Sequence, residues 1–203
     1  MAQEHSTGEQ IIRCEAITDE VAASYAERGF VLDFAEEVMR FDLSQTLPWA
    51  NFPASVSCFG WEPERIHEFF AAYDASFRDR PGFPHWSEEQ WVMWISDDPA
   101  FRPDLSWVAI AQGQPIGFIA NANDEQAPEQ MGYIIQVGVH PHWRRQGLAA
   151  ALIVRSLQAW KTEGKEAVIL HVNVNNPGAI KLYQKLGFTT ITRRGAFRNS
   201  SGL

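Results

Sequence analysis

The sequence predicts an α/β (α+β) fold, a mixed twisted sheet flanked by helices, and three observations predict it. From Gly132 onward, apolar strand-like runs (132–139, 167–172, 188–192) alternate with helical runs (148–163, 177–186). That alternation calls for at least two parallel strands joined by helical crossovers. Upstream, the runs 106–111 and 115–121 flank Gln112-Gly113-Gln114, the pattern of an antiparallel hairpin. At 203 residues, a chain can bury roughly 70% of its unfolded surface without disulfide or metal staples.

Taken in order, 17–28 reads as a helix closed by Gly29, followed by strand-like stretches at 30–34 and 37–43. Residues 47–60 carry Pro48, Pro53 and Gly60 among Ser and Asn, which reads as a linker or irregular arm. Pro63 suits the first turn of a helix. Ile66, Phe69, Phe70, Tyr73 and Phe77 then recur at helical spacing, until Arg80-Pro-Gly-Phe-Pro84 breaks the run. Ser87 with Gln90 three residues on forms a capping box. It opens a helix bearing Trp91, Trp94 and Ile95. A turn-rich loop (97–103) and the hairpin follow, then a polar loop at 124–130. The strand 132–139 is apolar except for Gln136, as a central strand should be. Gly138 within it marks a bulge or a close backbone approach. Gly164 and Gly187 stop the two helices that follow. The tail 193–203 is basic, then Ser/Gly-rich, and is expected to fray.

Composition narrows the function. The net charge is −8, which argues against nucleic acid or an anionic membrane as principal partner, since phosphate contacts need clustered cations. No run approaches the roughly 18 apolar residues of a membrane span. The segment 1–10 is polar and unlike a signal peptide. Cys14 and Cys58 show neither metal-ligand nor redox spacing. No metal is expected, and a cytoplasmic location is.

The chemistry concentrates after the strand 132–139. His140-Pro-His-Trp-Arg144-Arg145-Gln146-Gly147-Leu148-Ala149-Ala150 is a short basic glycine turn running into a helix. A helix start leaves backbone N–H groups without intrahelical partners, and those groups, with the helix dipole, favour an anion. Two arginines beside the turn make a diphosphate the natural guest.

These residues carry a resemblance. The run Val137-Gly-Val139-His-Pro-His-Trp-Arg144-Arg-Gln-Gly147-Leu-Ala149 resembles the acetyl-CoA signature of the GNAT superfamily of N-acetyltransferases. A second block, Asn173-Val-Asn-Asn176-Pro-Gly-Ala179 through Leu182-Tyr183 to Gly187-Phe188, is similar to that family's second element. The resemblance covers roughly 61–192 and implies a sheet whose fourth and fifth strands splay to admit CoA. It implies that the main chain of Val137 and Val139 pairs with the pantetheine arm. It also implies that N–H groups from Arg145 to Ala150 hold the pyrophosphate, that Asn176 binds the cofactor, and that Tyr183 sits beside the sulfur.

The implied activity is direct acetyl transfer from acetyl-CoA to a primary amine, on a small molecule or a protein N-terminus. A non-catalytic acyl-CoA-binding module is the alternative. Tyr183 is a suitable acid, since a phenol (pKa near ~10) outlasts a thiol (~8.5) as a proton donor. Many relatives place a Glu on the fourth strand as base, whereas here the region carries Tyr133 and Gln136. Glu129 is the candidate base, acting through water, with His140, His171, Asp124 and Glu125 as rivals. Trp86, Trp91, Trp94 and Trp107 either line an acceptor pocket or form core. Arg78, Arg80 and His85 are candidates to hold an acceptor carboxylate.

Ser24-Tyr25-Ala-Glu-Arg-Gly29-Phe30 repeats the spacing of Leu182-Tyr183 to Gly187-Phe188. Residues 1–48 are therefore expected to be the closing piece of a degenerate acetyltransferase domain, as in tandem members of the superfamily, and 49–203 the acetyl-CoA-binding domain. With little room for a last strand after Arg193, the strand 37–43 is expected to cover that sheet edge, within the chain or between the two chains of a homodimer.

Overall fold

The computed structural model describes residues 10–199, so the polar segment up to Glu9 and the last four residues lie outside it. In chain order the elements are β1 (Ile11–Cys14), α1 (Asp19–Glu27), β2 (Phe30–Asp42), β3 (Val56–Gly60), α2 (Ile66–Phe77), α3 (Glu88–Ser96), β4 (Trp107–Ala111), β5 (Gln114–Asn123), β6 (Met131–Val139), α4 (Leu148–Thr162), β7 (Ala167–Asn173), α5 (Pro177–Leu186) and β8 (Thr189–Asn199). Parallel and antiparallel pairings coexist, which is the expected mixed α/β class. The residues form two compact units. One gathers the described residues up to Arg40 with those from His171, and the other spans Phe41–Leu170.

In the first unit, β8 is paired on both edges, with β1 and with β2, both antiparallel. The expectation of a frayed tail from Arg193 is thus corrected: β8 runs on to Asn199. Its charges read as tail-like only in isolation. Arg194 pairs with Glu36 at 3.1 Å, Arg193 with Glu37 at 3.4 Å and Arg198 with Asp33 at 2.8 Å, each across the β2–β8 ladder. The two stretches expected at 30–34 and 37–43 are one strand, β2, with register shifts after Leu32 and Val38. Strand β2 pairs β8 from Thr189 to Asn199, whereas β1 pairs its other edge over Gly195–Arg198. The repeated spacing has a repeated geometry. Tyr25 and Phe30 rings lie 6.0 Å apart around Gly29, and Tyr183 and Phe188 rings lie 6.0 Å apart around Gly187.

In the second unit, β3, β4, β5 and β6 pair antiparallel in sequence order, and β7 adds parallel to β6. Strand β3 lies inside the stretch read as a linker. Its Val-Ser-Cys-Phe-Gly sequence is short and weakly patterned, and the edge of β4 orders it. Helices α2 and α3 cover one face. Phe69, Tyr73, Trp91 and Phe118 form the centre of an aromatic core there, with Trp91 fully buried. The Ser87 capping box is formed as expected. Helix α4 covers the other face, Leu148 and Leu152 lying against Gly117.

A buried polar network ties α4 to the sheet. Asn121 Oδ1 accepts from Ser156 Oγ at 2.7 Å and from Trp160 Nε1 at 3.2 Å, while its amide donates to the Leu105 carbonyl. All three partners' groups would be stranded by Asn121→Ala, and each buried unsatisfied group costs about 1–3 kcal/mol. We expect that variant to melt about 10 °C lower, read by circular dichroism. A shift under 2 °C would show the network to be dispensable.

Candidate active site

Strand β6 positions the site. Its register against β5 slips between Ala120 and Asn121, which face Gln136 and Ile134. Ile135 is therefore the extra residue of a β-bulge. Gly138, the position expected to mark a bulge or a close approach, is the close approach: a Cβ there would meet Ser76 and Phe118 at 2.8 and 2.7 Å.

The pairing also decides which way the backbone points. His140 N–H donates to the Ile116 carbonyl at 2.9 Å. In an antiparallel ladder, alternate residues bond the same neighbour, so Gly138 and Gln136 bond toward β5 with His140. The N–H and C=O groups of Val137 and Val139 then face the opposite edge. The parallel ladder with β7 covers only Met131–Ile134 against Ala167–Leu170, while β6 continues to Val139. Those main-chain groups therefore lie past the ladder's end.

Beyond β6 comes a 3-10 turn, Pro141–Trp143, and then α4. Arg145 and Gly147 both adopt left-handed backbone, with φ of 65° and 84°. Around Gly147 a Cβ would meet nothing within 4 Å, so the space beside the turn is open. The first intrahelical bond of α4 runs from Ala151 N–H to the Gly147 carbonyl. The N–H groups of Leu148, Ala149 and Ala150 are thus the orphan donors of the helix start. Gln146 donates from Nε2 to the His142 carbonyl at 3.1 Å and holds the turn closed.

The two arginines differ. Among the described residues nothing engages the Arg145 guanidinium. Arg144 is a brace. Its Nε donates to the Val139 carbonyl at 3.2 Å and its Nη2 to the Ser76 carbonyl at 2.9 Å. Ser76 lies in the last turn of α2, where carbonyls lack intrahelical partners. One side chain thereby joins β6, the turn and α2.

The base candidates separate clearly. Glu129 lies in the turn just before β6 and is exposed, with most of that strand between it and Val137. His140 Nδ1 accepts the His142 backbone N–H at 3.2 Å, which leaves Nε2 carrying the proton in the neutral ring. Partial burial, then the neighbouring His142 and Arg144, lower the His140 pKa from its ordinary value. Asp124 is spent on the backbone N–H groups of Gln126 and Ala127. Of the tryptophans, Trp91 and Trp107 are core.

In the other unit, Asn176 caps α5, its Oδ1 accepting from Ala179 N–H at 3.2 Å. Its amide N–H groups are the part left for a ligand. Tyr183 lies on α5 and is buried, and burial pushes its phenol up to about 12. Its carbonyl accepts from Phe188 N–H at 3.0 Å.

Comparisons with known proteins bear on the family and the fold. Residues 60–188 match the model of the acetyltransferase (GNAT) family. A mycothiol acetyltransferase of Thermobispora bispora is 32% identical over 192 residues, which is 92% of this chain and 65% of that protein's length. The chain therefore spans less than two thirds of that relative. A GCN5-related N-acetyltransferase from Sphaerobacter thermophilus superposes with a TM-score of 0.73 at 22% identity, covering 94% of this chain and 58% of the other. A tandem GNAT protein from the clavulanic acid biosynthesis pathway superposes at 0.66 and 15% identity, covering 96% of this chain and 64% of the other. An overlap of that extent includes most of residues 1–48.

Proposed function

The chain belongs to the acetyltransferase (GNAT) family, and from that premise we propose that it moves an acetyl group from acetyl-CoA directly to a primary amine. The observation that carries this reading is the β6–α4 junction. It offers orphan helix N–H groups, a left-handed glycine beside open space and an unpaired Arg145, which together suit a diphosphate. The main chain of Val137 and Val139, turned away from β5, supplies strand-like partners for the amide-bearing arm. Asn176 adds its amide N–H groups. Two free thiols, Cys14 and Cys58, support a reducing compartment such as the cytoplasm.

In the proposed reaction the amine nitrogen attacks the thioester carbonyl carbon. The oxygen becomes anionic, and the Val137 N–H stabilises it. The C–S bond then breaks and the sulfur takes a proton from Tyr183, while the nitrogen loses one to solvent. Neither cysteine is required, because no acyl-enzyme forms. We also take residues 1–48 as the closing piece of a degenerate acetyltransferase domain; the paired Tyr–Gly–Phe geometries and the overlap with a tandem protein support that.

A second reading, a non-catalytic acyl-CoA-binding module, is favoured by one observation: Gln136 stands on β6 beside Val137, and no carboxylate does. CoA release measured over a panel of amines and peptides separates the two. Turnover with any acceptor establishes the enzyme. Calorimetric binding of acetyl-CoA with no release for every acceptor establishes the module.

A further inference from the structure

The first unit carries a groove of about 320 Å³ on one face of its β1–β8–β2 sheet. Gly195 and Ala196 of β8 form its floor, with β1 on one side and β2 on the other. Ala196 pairs with Arg13 of β1 and with Phe34 of β2, so those two long side chains flank a single methyl group. Strands on either side of a common neighbour lie about 10 Å apart, which leaves a slot wide enough for a flat ring. The register shift after Leu32 makes Asp33 an extra residue, and Asp33 and Phe34 both line the groove. Phe34 is 40% exposed, and Ile11, on the Arg13 side of β1, is 58% exposed. Both walls therefore offer uncovered apolar surface.

The charges around the slot are of two kinds. Glu36 accepts from Arg194 Nε and Nη2 at 3.2 and 3.1 Å, and Asp33 pairs with Arg198 at 2.8 Å. Those four are committed. Arg13 and Glu15 also line the groove, and among the described residues nothing engages either side chain. Their backbones are at most about 7 Å apart, yet they leave each other unpaired. A neutral or singly charged ligand would shut at least one of them from water without a partner, which is unfavourable. A ligand with both charges on neighbouring atoms satisfies the two together. We propose that the groove binds a free α-amino acid with a large apolar side chain. Its carboxylate meets Arg13, its ammonium meets Glu15, and its side chain lies over Ala196 between Ile11 and Phe34. The volume stands at the small end of ligand pockets, which suits a molecule of that size. None of these residues belongs to the β6–α4 junction, and the inference is independent of the acetyltransfer reading.

Isothermal titration calorimetry with L-phenylalanine, in the absence of acetyl-CoA, tests it. The expected Kd is about 1 mM or tighter. N-acetyl-L-phenylalanine lacks the ammonium, L-phenylalaninamide lacks the carboxylate and glycine lacks the ring. Each is expected to bind at least tenfold more weakly. Arg13→Gln removes the cation, and Ala196→Phe fills the slot without changing charge. Both are expected to weaken L-phenylalanine at least tenfold while the circular dichroism spectrum stays that of the wild type. L-phenylalanine is itself a primary amine, so full affinity in either variant would mean that it binds elsewhere, and overturns the inference. An analogue that binds as tightly as L-phenylalanine, or no binding at about 10 mM, does the same. A wild type that sediments as a dimer, and as a monomer in Arg13→Gln, gives the groove to a second copy of the chain and also overturns it. Each of these outcomes leaves the acetyltransfer reading standing.

Discussion

Gly147→Glu is expected to abolish acetyl-CoA binding, raising Kd at least a hundredfold by isothermal titration calorimetry. Two effects act together. Gly147 has φ of 84°, a conformation that costs a residue with a Cβ about 1–2 kcal/mol. The new carboxylate would also stand where the orphan N–H groups of Leu148 to Ala150 converge, replacing an attraction for phosphate with repulsion. Gly147→Asn controls for the backbone, because Asn tolerates left-handed geometry and adds no charge. It should bind within a few-fold of wild type. Normal affinity in Gly147→Glu would refute the β6–α4 junction as the cofactor site.

Tyr183→Phe is expected to lower kcat about a hundredfold while leaving the acetyl-CoA Kd within twofold. In the proposed reaction the phenol is the proton donor to departing sulfur, and the substitution removes only the hydroxyl. Burial pushes that phenol up to about 12, so it stays protonated through neutral and moderately alkaline pH. The rate lost to Tyr183 ionisation should therefore appear only near pH 12. The same shift links to stability. The folded value lies above the unfolded one near ~10, so the stabilising effect of the neutral phenol is complete below pH 10 and is lost toward pH 12. Unchanged kcat in Tyr183→Phe would take this residue out of the acid role.

What could be read from the chain beforehand follows the range of the forces involved. The β4–β5 hairpin, the capping box of α3 and the strand–turn–helix of β6 and α4 are local patterns, legible within windows of ten or fifteen residues. Strands β1 and β3 are not, because Ile-Ile-Arg-Cys and Val-Ser-Cys-Phe-Gly carry no periodicity of their own and form only against β8 and β4. The far half of β8 looked like a loose basic tail because its acidic partners, Asp33, Glu36 and Glu37, lie more than 150 residues away. The site divides along the same line. Gly147 and its helix start were visible in the sequence. The Gln136–Trp91 bond, spanning 45 residues, and the Arg144–Ser76 bond, spanning 68, were not. Arg144 drew notice for its charge, and the structure gives its guanidinium to carbonyls. Glu129 drew notice because it stands just before β6, and most of that strand lies between it and Val137.

The Arg144 brace sets a rule for anyone wishing to retool this protein. Because one guanidinium fastens the end of α2 and the exit of β6 at once, and Gly138 leaves no room for a bulkier seam against Ser76, α2 is not an interchangeable cassette. A graft that brings in a foreign helix to recruit a new substrate must keep a small residue at position 76 with its carbonyl in place. Otherwise the transplant will loosen the β6–α4 turn it was never meant to touch.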